Sequence, residues 1–249
     1  MQIYGSCHPS AASQLQQWVS SCFDEVALWN WSNRLQLNAS KTEVLWCASS
    51  RHQHQIPWTP VRVCFDFIQP ASSVRDLGIY LDADVSMRMH VSRTVSNCFA
   101  VLHQIRSIRR SLTRPVLQSL IVSLVMPQLD YGNAMLAGLQ DNQLSRLQSV
   151  LNAAARLMFS TRKHECVRPL LRDLHWLRVP QRIDFKLAVL TYRCLHSTAP
   201  QYLADEFCRV ADVDSRWRLR SASTLTLIVP PMRHSTIGDR AFLAAASHV

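Results

Sequence analysis

Residues 141–159, DNQLSRLQSVLNAAARLMF, carry the clearest helical pattern in this 249-residue sequence. Their apolar residues recur at three- and four-residue steps and would share one side of a helix. They are Leu144, Leu147, Val150, Leu151, Ala154 and Met158. The same spacing predicts helices over about 86–110, from near Thr113 to Pro127, and from near Pro180 onward. This part of the chain is therefore predicted to be a bundle of helices.

The N-terminal part of the chain combines one helical pattern with shorter alternating ones. Apolar residues spaced three and four apart, including Trp18 and Trp29, predict a helix over 11–35 whose tryptophans lie in the core. Apolar and polar residues then alternate, which is typical of half-buried strands. The candidate strands are Thr42–Ala48, Val61–Phe67 and Val74–Leu81. The glycine inside the third candidate, Gly78, indicates a bulge or a close approach of backbone.

The order of these elements, a helix and about three strands followed by helices, predicts an α+β fold. We expect a small antiparallel sheet in residues 1–85 and a mostly α-helical bundle in residues 86–249. Apolar residues make up 48 % of the sequence and charged residues 18 %, which is an ordinary globular balance. The sequence shows no secretory signal and no apolar stretch long enough to cross a bilayer, so we expect an intracellular protein without a membrane partner.

The net charge of +10 is unevenly spread along the chain. Residues 1–85 hold 5 Lys and Arg against 7 Asp and Glu, whereas residues 86–249 hold 22 against 10. All but three of the 27 basic residues are arginines, which pair well with phosphate. The second region therefore favours a nucleic-acid partner, and an ordinary solvated surface is the alternative. The best candidates for contacts with backbone phosphate are Arg106, Arg109, Arg110 and Arg114, and a second group is Arg216, Arg218 and Arg220 around Trp217.

No constellation of residues in the sequence predicts a catalytic or metal site. Three close pairs of metal-ligating residues stand isolated, without a second pair at the spacing of a zinc site. They are His52 with His54, His164 with Cys166, and Cys194 with His196. Asp82 and Asp84 could hold a divalent cation, but just before a helix they are more typical of residues that cap its first turn. The sequence also lacks a glycine-rich phosphate loop and the Gly-x-Ser-x-Gly motif of serine hydrolases.

Six stretches, taken in order, cover nearly the whole chain and carry a family resemblance. They are Asn33–Trp46, Val74–Asp82, Leu129–Leu139, Arg146–Leu157, Leu174–Lys186 and Ser235–Phe242. Together they resemble the reverse transcriptases of LINE-type (non-long-terminal-repeat) retrotransposons. The resemblance implies that residues 1–85 are the end of the polymerase palm and that residues 86–249 are the thumb and its connecting helices.

The resemblance also implies roles for individual residues. Lys41 would lie near the phosphates of the incoming nucleotide, where a cation stabilises the departing pyrophosphate. Leu77, Gly78 and Ile79 would form the turn of a primer-grip hairpin, where backbone approaches the primer end. The helices would bind the RNA–DNA template–primer duplex weakly and without sequence preference.

The paired aspartates of the family would stand immediately before Gln2, and the sequence does not contain them. Two-metal phosphoryl transfer needs such carboxylates to hold its Mg²⁺ ions. We therefore expect a fragment, truncated at both ends, that has no catalytic residues, binds no cofactor and is inactive as a polymerase by itself. An exposed strand edge would favour self-association. The alternative function is a helical protein–protein interaction module that does not bind nucleic acid.

Overall fold

The computed structural model of the protein describes residues 2–49 and 51–205 and, after these, residues 207, 209, 210, 227, 228, 238 and 241–247. The chain forms two compact units, Met1–His90 and Val91–Val249. Helices predominate and the strands are few and short, which is compatible with the predicted α+β class.

The first unit contains one long helix and six short strands among its described residues. Helix α1 spans Ala12–Ser32, close to the predicted 11–35. The strands are β1 (Val44–Leu45), β2 (Val61–Val63), β3 (Asp66–Ile68), β4 (Pro70–Ala71), β5 (Ser73–Asp76) and β6 (Ile79–Asp82). The six strands form three separate two-stranded sheets and not the one small antiparallel sheet predicted. β2 pairs with β3 and β5 with β6 in antiparallel hairpins, whereas β1 pairs with β4 in parallel.

The prediction of one strand over Val61–Phe67 is wrong, because the chain turns back at Cys64 and Phe65. Val63 pairs with Asp66 across a two-residue turn in which Cys64 has a φ of 56°. Residues paired across two strands have their side chains on the same face of the hairpin, so Phe67 shares a face with its partner Arg62. Phe67 consequently lies on the face opposite the buried Val63 and is 71 % exposed.

The predicted strand over Val74–Leu81 is likewise a hairpin. Asp76 pairs with Ile79, and the two residues between them, Leu77 and Gly78, have φ values of 44° and 88°. Positive φ at both central residues is characteristic of the type I′ turn, which matches the twist of the flanking strands. Gly78 thus marks a turn and not a bulge within a strand.

Helix α1 contacts β2 through polar side chains, so the prediction that its tryptophans form the core is wrong. The Oγ of Ser20 donates to the carbonyl of Arg62 at 2.8 Å, and the Nε2 of Gln16 donates to the carbonyl of Pro60 at 2.8 Å. Trp18 and Trp29 are 63 % and 62 % exposed. Ser20 and Ala12 are the buried residues of this helix, and the Ser20 hydroxyl supplies the partner that a buried carbonyl on the edge of β2 would otherwise lack.

The second unit is built from helices joined by short turns. The helices among its described residues, with the start of the first in unit 1, are α2 (Arg88–Ile108), α3 (Arg114–Leu124), α4 (Met126–Asp130), α5 (Asp141–Phe159), α6 (Arg168–Asp173), α7 (Val179–Leu195), α8 (Gln201–Ala204) and α9 (Phe242–Ala246). Helix α5 has the bounds that its pattern predicts. Leu147, Val150, Leu151 and Ala154 are almost completely buried along it, so it is the central helix of this core.

Polar contacts fix the junction between α4 and α7. The carboxylate of Asp130 forms a salt bridge with Arg182 on α7, and the Oδ1 atom of Asp130 also accepts a hydrogen bond from Asn133 at 3.0 Å. Gly132, between them, has a φ of 71°, which glycine adopts without steric cost. No helix in the described part of the chain is long and apolar enough to cross a membrane.

Candidate nucleic-acid interface

The predicted arginine cluster lies where α2 ends and α3 begins. Arg106 is in the last turn of α2, Arg109 and Arg110 are in a 3-10 helix that follows it, and Arg114 is the first residue of α3. Arg106, Arg110 and Arg114 are exposed, whereas Arg109 is half-buried. The four side chains therefore come from one short segment around a helix junction.

Two of these arginines contact the C-terminal end of α5. The Nε of Arg109 donates to the carbonyl of Leu157 at 2.8 Å, and the guanidinium of Arg114 lies 4.5 Å from the centre of the Phe159 ring. The last carbonyls of a helix have no partner within the helix, and its C-terminus favours cations. Arg109 and Arg114 therefore hold the α2–α3 junction against α5.

The other two arginines have no such structural partner. The side chains of Arg106 and Arg110 form no hydrogen bond or salt bridge with the residues that the structure describes. An exposed guanidinium without a carboxylate partner can bind a phosphate oxygen without first breaking an ion pair. Within the predicted cluster, Arg106 and Arg110 are thus the two side chains best placed to bind an external anion.

The residues predicted from the resemblance to bind nucleotide and primer lie in the first unit. Lys41 ends a 3-10 helix and is exposed, and no described residue pairs with its ammonium group. Leu77 and Gly78 form the turn of the β5–β6 hairpin, and Ile79 begins β6. Leu77 is 84 % exposed, so this turn presents an apolar tip.

Asp82 and Asp84 stabilise the start of α2, as expected for the capping interpretation. Oδ2 of Asp82 accepts hydrogen bonds from Ser86 Oγ at 3.1 Å and from the backbone N–H of Met89 at 3.2 Å. Asp84 accepts from the Ser86 N–H and forms a salt bridge with Arg88. Burial alone would raise the pKa of the Asp84 carboxyl, but the hydrogen bonds from Ser86 and Arg88 hold it below its ordinary value.

Three of the four carboxylate oxygens of this pair accept hydrogen bonds from the start of α2 or from Arg88, which is typical of capping residues. Among the described residues, no three His, Cys, Asp or Glu side chains come together as a possible metal site. The second predicted arginine group, Arg216, Arg218 and Arg220 around Trp217, lies outside the described residues.

A further group of basic residues, which was not predicted from the sequence, lies around the end of α5. Residues 156–178 hold six arginines and lysines against two acidic residues. The side chains of Arg156, Arg168 and Arg178 line one cavity there. The local charge excess could have identified the segment, but not the cavity, because its residues come from α5, α6 and the start of α7.

No family model matches the chain, and neither a curated protein nor a solved structure matches it. The functional interpretation therefore rests on the residues and on the geometry given above.

Proposed function

We propose that this chain is the C-terminal part of a LINE-type reverse transcriptase, comprising the end of the palm, the thumb and the connecting helices. It acts as a binding module for an RNA–DNA template–primer duplex and has no polymerase activity of its own. The ordered sequence motifs support the family, and the basic charge of the helical region supports the nucleic-acid partner.

The observation that carries the binding proposal is the pair of exposed arginines, Arg106 and Arg110, on a junction that Arg109 and Arg114 hold in place. Guanidinium groups presented on a rigid element can contact successive phosphates without reading the bases. Such contacts release counterions, so the affinity falls as the salt concentration rises.

The first unit contributes two elements to the proposal through the resemblance. Lys41 would face the phosphates of a nucleotide, and the exposed tip at Leu77 and Gly78 would lie against the primer end. The carboxylates that would hold the two metal ions are not in this sequence, so no catalytic step is assigned to these residues.

The decisive experiment measures binding of the full chain to an RNA–DNA duplex at several salt concentrations. We expect weak binding whose logarithm falls linearly with the logarithm of the salt concentration, and equal affinity for duplexes of different sequence. Incorporation of labelled nucleotide above background by stringently purified protein would refute the proposed inactivity. Binding that does not respond to salt would refute the phosphate contacts.

One observation favours a second candidate, a protein–protein interaction module. Helix α1 exposes Trp18, Leu28, Trp29 and Trp31, and large apolar side chains at a surface are typical of sites that contact other proteins. The two candidates differ in a simple way, since only the first predicts salt-dependent binding to a nucleic-acid duplex.

We also propose that the chain self-associates through the open edge of β3. In the described residues β3 pairs only with β2, and the exposed Phe67 lies in the middle of it. The edge of β2 is already covered by α1, so the open edge of this hairpin is that of β3. An unprotected strand edge with an apolar side chain favours pairing with a second copy.

A further inference from the structure

A cavity of about 300 Å³ opens in the second unit between the C-terminal half of α5, the loop 160–167, the start of α6 and the start of α7. This volume is at the small end of the range for ligand pockets. Six of its polar lining residues matter for what it can bind. They are Gln148, Asn152, Arg156, Glu165, Arg168 and Arg178. None of them belongs to the arginine cluster of the proposed function.

A chain of hydrogen bonds fixes the orientation of the two amides in this cavity. The backbone N–H of Val179, at the start of α7, donates to Oε1 of Gln148 at 2.9 Å. The oxygen of Gln148 must face this donor, so its Nε2 is left to donate, and it donates to Oδ1 of Asn152 at 2.9 Å. Each amide oxygen thus accepts one hydrogen bond, and the amide nitrogen Nδ2 of Asn152, which has no partner among the described residues, can donate to a ligand.

The arginines add further donors. The Nε of Arg156 is buried and has no hydrogen-bond partner in the described structure, and its Nη2 reaches only the carbonyl of Glu165 at 3.5 Å. Arg168 and Arg178 form no ion pair with any described residue. A buried guanidinium nitrogen without an acceptor is unfavourable, and a ligand oxygen would supply the acceptor that it lacks.

The one carboxylate in the cavity does not neutralise these arginines. Oε1 of Glu165 accepts a hydrogen bond from the backbone N–H of Arg162 at 3.1 Å, which holds the loop closed on itself. Glu165 is exposed and forms no salt bridge with the three arginines. The cavity therefore has three positive charges against one negative charge, and its uncommitted polar groups are mainly donors.

We propose that this cavity binds a phosphate group, either free or carried by a nucleotide or a polynucleotide. Arginine forks match the oxygens of phosphate in a bidentate manner, and the Asn152 amide supplies an additional neutral donor. This inference goes beyond the proposed function, because the site can bind phosphate whether or not the α2–α3 junction binds a duplex.

Cys166 provides the readout, because its exposed thiol lines the same cavity. We would alkylate the full chain in chloride buffer at constant ionic strength, add inorganic phosphate, and measure the modification of each cysteine by mass spectrometry. Phosphate should slow the alkylation of Cys166 until the effect saturates, with half-protection at a millimolar phosphate concentration. The exposed Cys7 and Cys47, in the other unit, are internal controls that should not respond.

Substitutions test which side chains hold the phosphate. Arg168→Gln and Arg178→Gln should each raise the phosphate concentration for half-protection about tenfold, the loss expected for one charge-assisted hydrogen bond. Arg172→Gln is the matched control, since this exposed arginine lies on the same helix as Arg168 but does not line the cavity. Arg156→Gln should raise this concentration further. If Arg156→Gln does not fold, the substitutions at the exposed Arg168 and Arg178 still test the proposal.

A second arm replaces inorganic phosphate by a short oligonucleotide. Protection of Cys166 by either probe that is weakened in Arg178→Gln supports the proposal, and the probe that protects identifies the source of the phosphate. The absence of protection by both probes overturns it, as does equal protection in Arg168→Gln, Arg178→Gln and Arg172→Gln. Duplex binding without protection of Cys166 would overturn this inference alone and would leave the proposed function standing.

Discussion

The guanidinium Nε of Arg109 and the carbonyl oxygen of Leu157 are joined by a 2.8 Å hydrogen bond. Leu157 lies in the last turn of α5, and 48 residues separate it from Arg109 along the chain. The bond connects the turn after α2 to the central helix of the second unit. This hydrogen bond gives Arg109 a structural role, whereas its sequence neighbour Arg110 is exposed.

Replacing Arg109 with alanine should destabilise the protein. The substitution removes a charge-assisted hydrogen bond and a favourable interaction with the C-terminus of α5, which together contribute about 1 to 2 kcal/mol. Arg110→Ala is the matched control and should change the free energy of unfolding little. Denaturant unfolding followed by circular dichroism measures both, and equal stability of the two variants would contradict the assigned role of Arg109.

The double substitution Arg106→Gln with Arg110→Gln should weaken duplex binding and reduce its salt dependence. Each lost phosphate contact lowers the slope of log K against log salt by about one, so we expect a change of about two. Fluorescence anisotropy with an RNA–DNA duplex measures the slope. Arg34→Gln, an exposed arginine of the first unit, is the control. An unchanged slope in the double variant would show that these arginines do not contact phosphate.

The ion pair of Asp24 and Arg62 should make stability fall in acid. The hydrogen bond from Arg62 holds the pKa of the Asp24 carboxyl below its ordinary value of 3.8. A lowered pKa in the folded state adds stability above about pH 3.8 that is lost as the pH falls through the folded value. The protein should thus exceed Asp24→Asn in stability at pH 6, and this difference in stability should shrink as the pH falls below 3.8.

The control for this titration is Asp66→Asn, because Asp66 forms no salt bridge with a described residue. Thermal unfolding at a series of pH values measures all three proteins. A constant difference between the parent protein and Asp24→Asn across the acid range would contradict the assigned linkage.

Cys98 should resist alkylation in the folded protein. It is fully buried on α2, and burial raises the pKa of its thiol to about 11. The raised pKa also means that its contribution to stability is present below the ordinary value of 9.0 and is lost as the pH rises through about 11. The parent protein should therefore lose stability between these pH values more steeply than Cys98→Ala does, in denaturant unfolding at each pH.

Phe67→Lys should reduce self-association, because a lysine on an edge strand discourages pairing with a second copy. Phe185→Lys, at an exposed phenylalanine of α7, is the matched control. Analytical ultracentrifugation should find the parent protein and the control associated and Phe67→Lys shifted toward monomer. A parent protein that remains monomeric at high concentration would rule out the proposed edge contact.

The sequence predicted the helices better than the strands, for reasons visible in particular residues. Helix α5 follows from its pattern because one face, with Leu147 and Val150, is buried along its length. The turn at Cys64 and Phe65 lacks the asparagine and glycine that identify tight hairpins, so two short strands had the pattern of one. The spacing of Trp18 predicts a position in the core, whereas the structure exposes it and α1 contacts β2 through Ser20 and other polar residues.

The candidate sites were predictable only where their residues are neighbours in sequence. The arginines from Arg106 to Arg114 form such a run, and their clustering follows from helical spacing. The phosphate cavity depends on the contact between Gln148 and Val179, 31 residues apart, and no local pattern encodes that contact. The structural role of Arg109 and the exposed position of Arg110 also depend on a distant contact, because Arg109 binds a carbonyl at the end of α5.

The hydrogen bonds between α1 and β2 fix the position of the strand along the helix. Four residues of helix advance about 6 Å and two residues of strand about 6.6 Å, so the two repeats are nearly commensurate. Gln16 and Ser20 meet the carbonyls of Pro60 and Arg62 in the same order along the chain, and Asp24 holds the Arg62 guanidinium one helical step further on. Helix α1 thus sets the position of this strand through two contacts with matching spacing. Inserting one residue between Gln16 and Ser20 would rotate one of the two side chains away from β2, and no shift of β2 along the helix could restore both contacts.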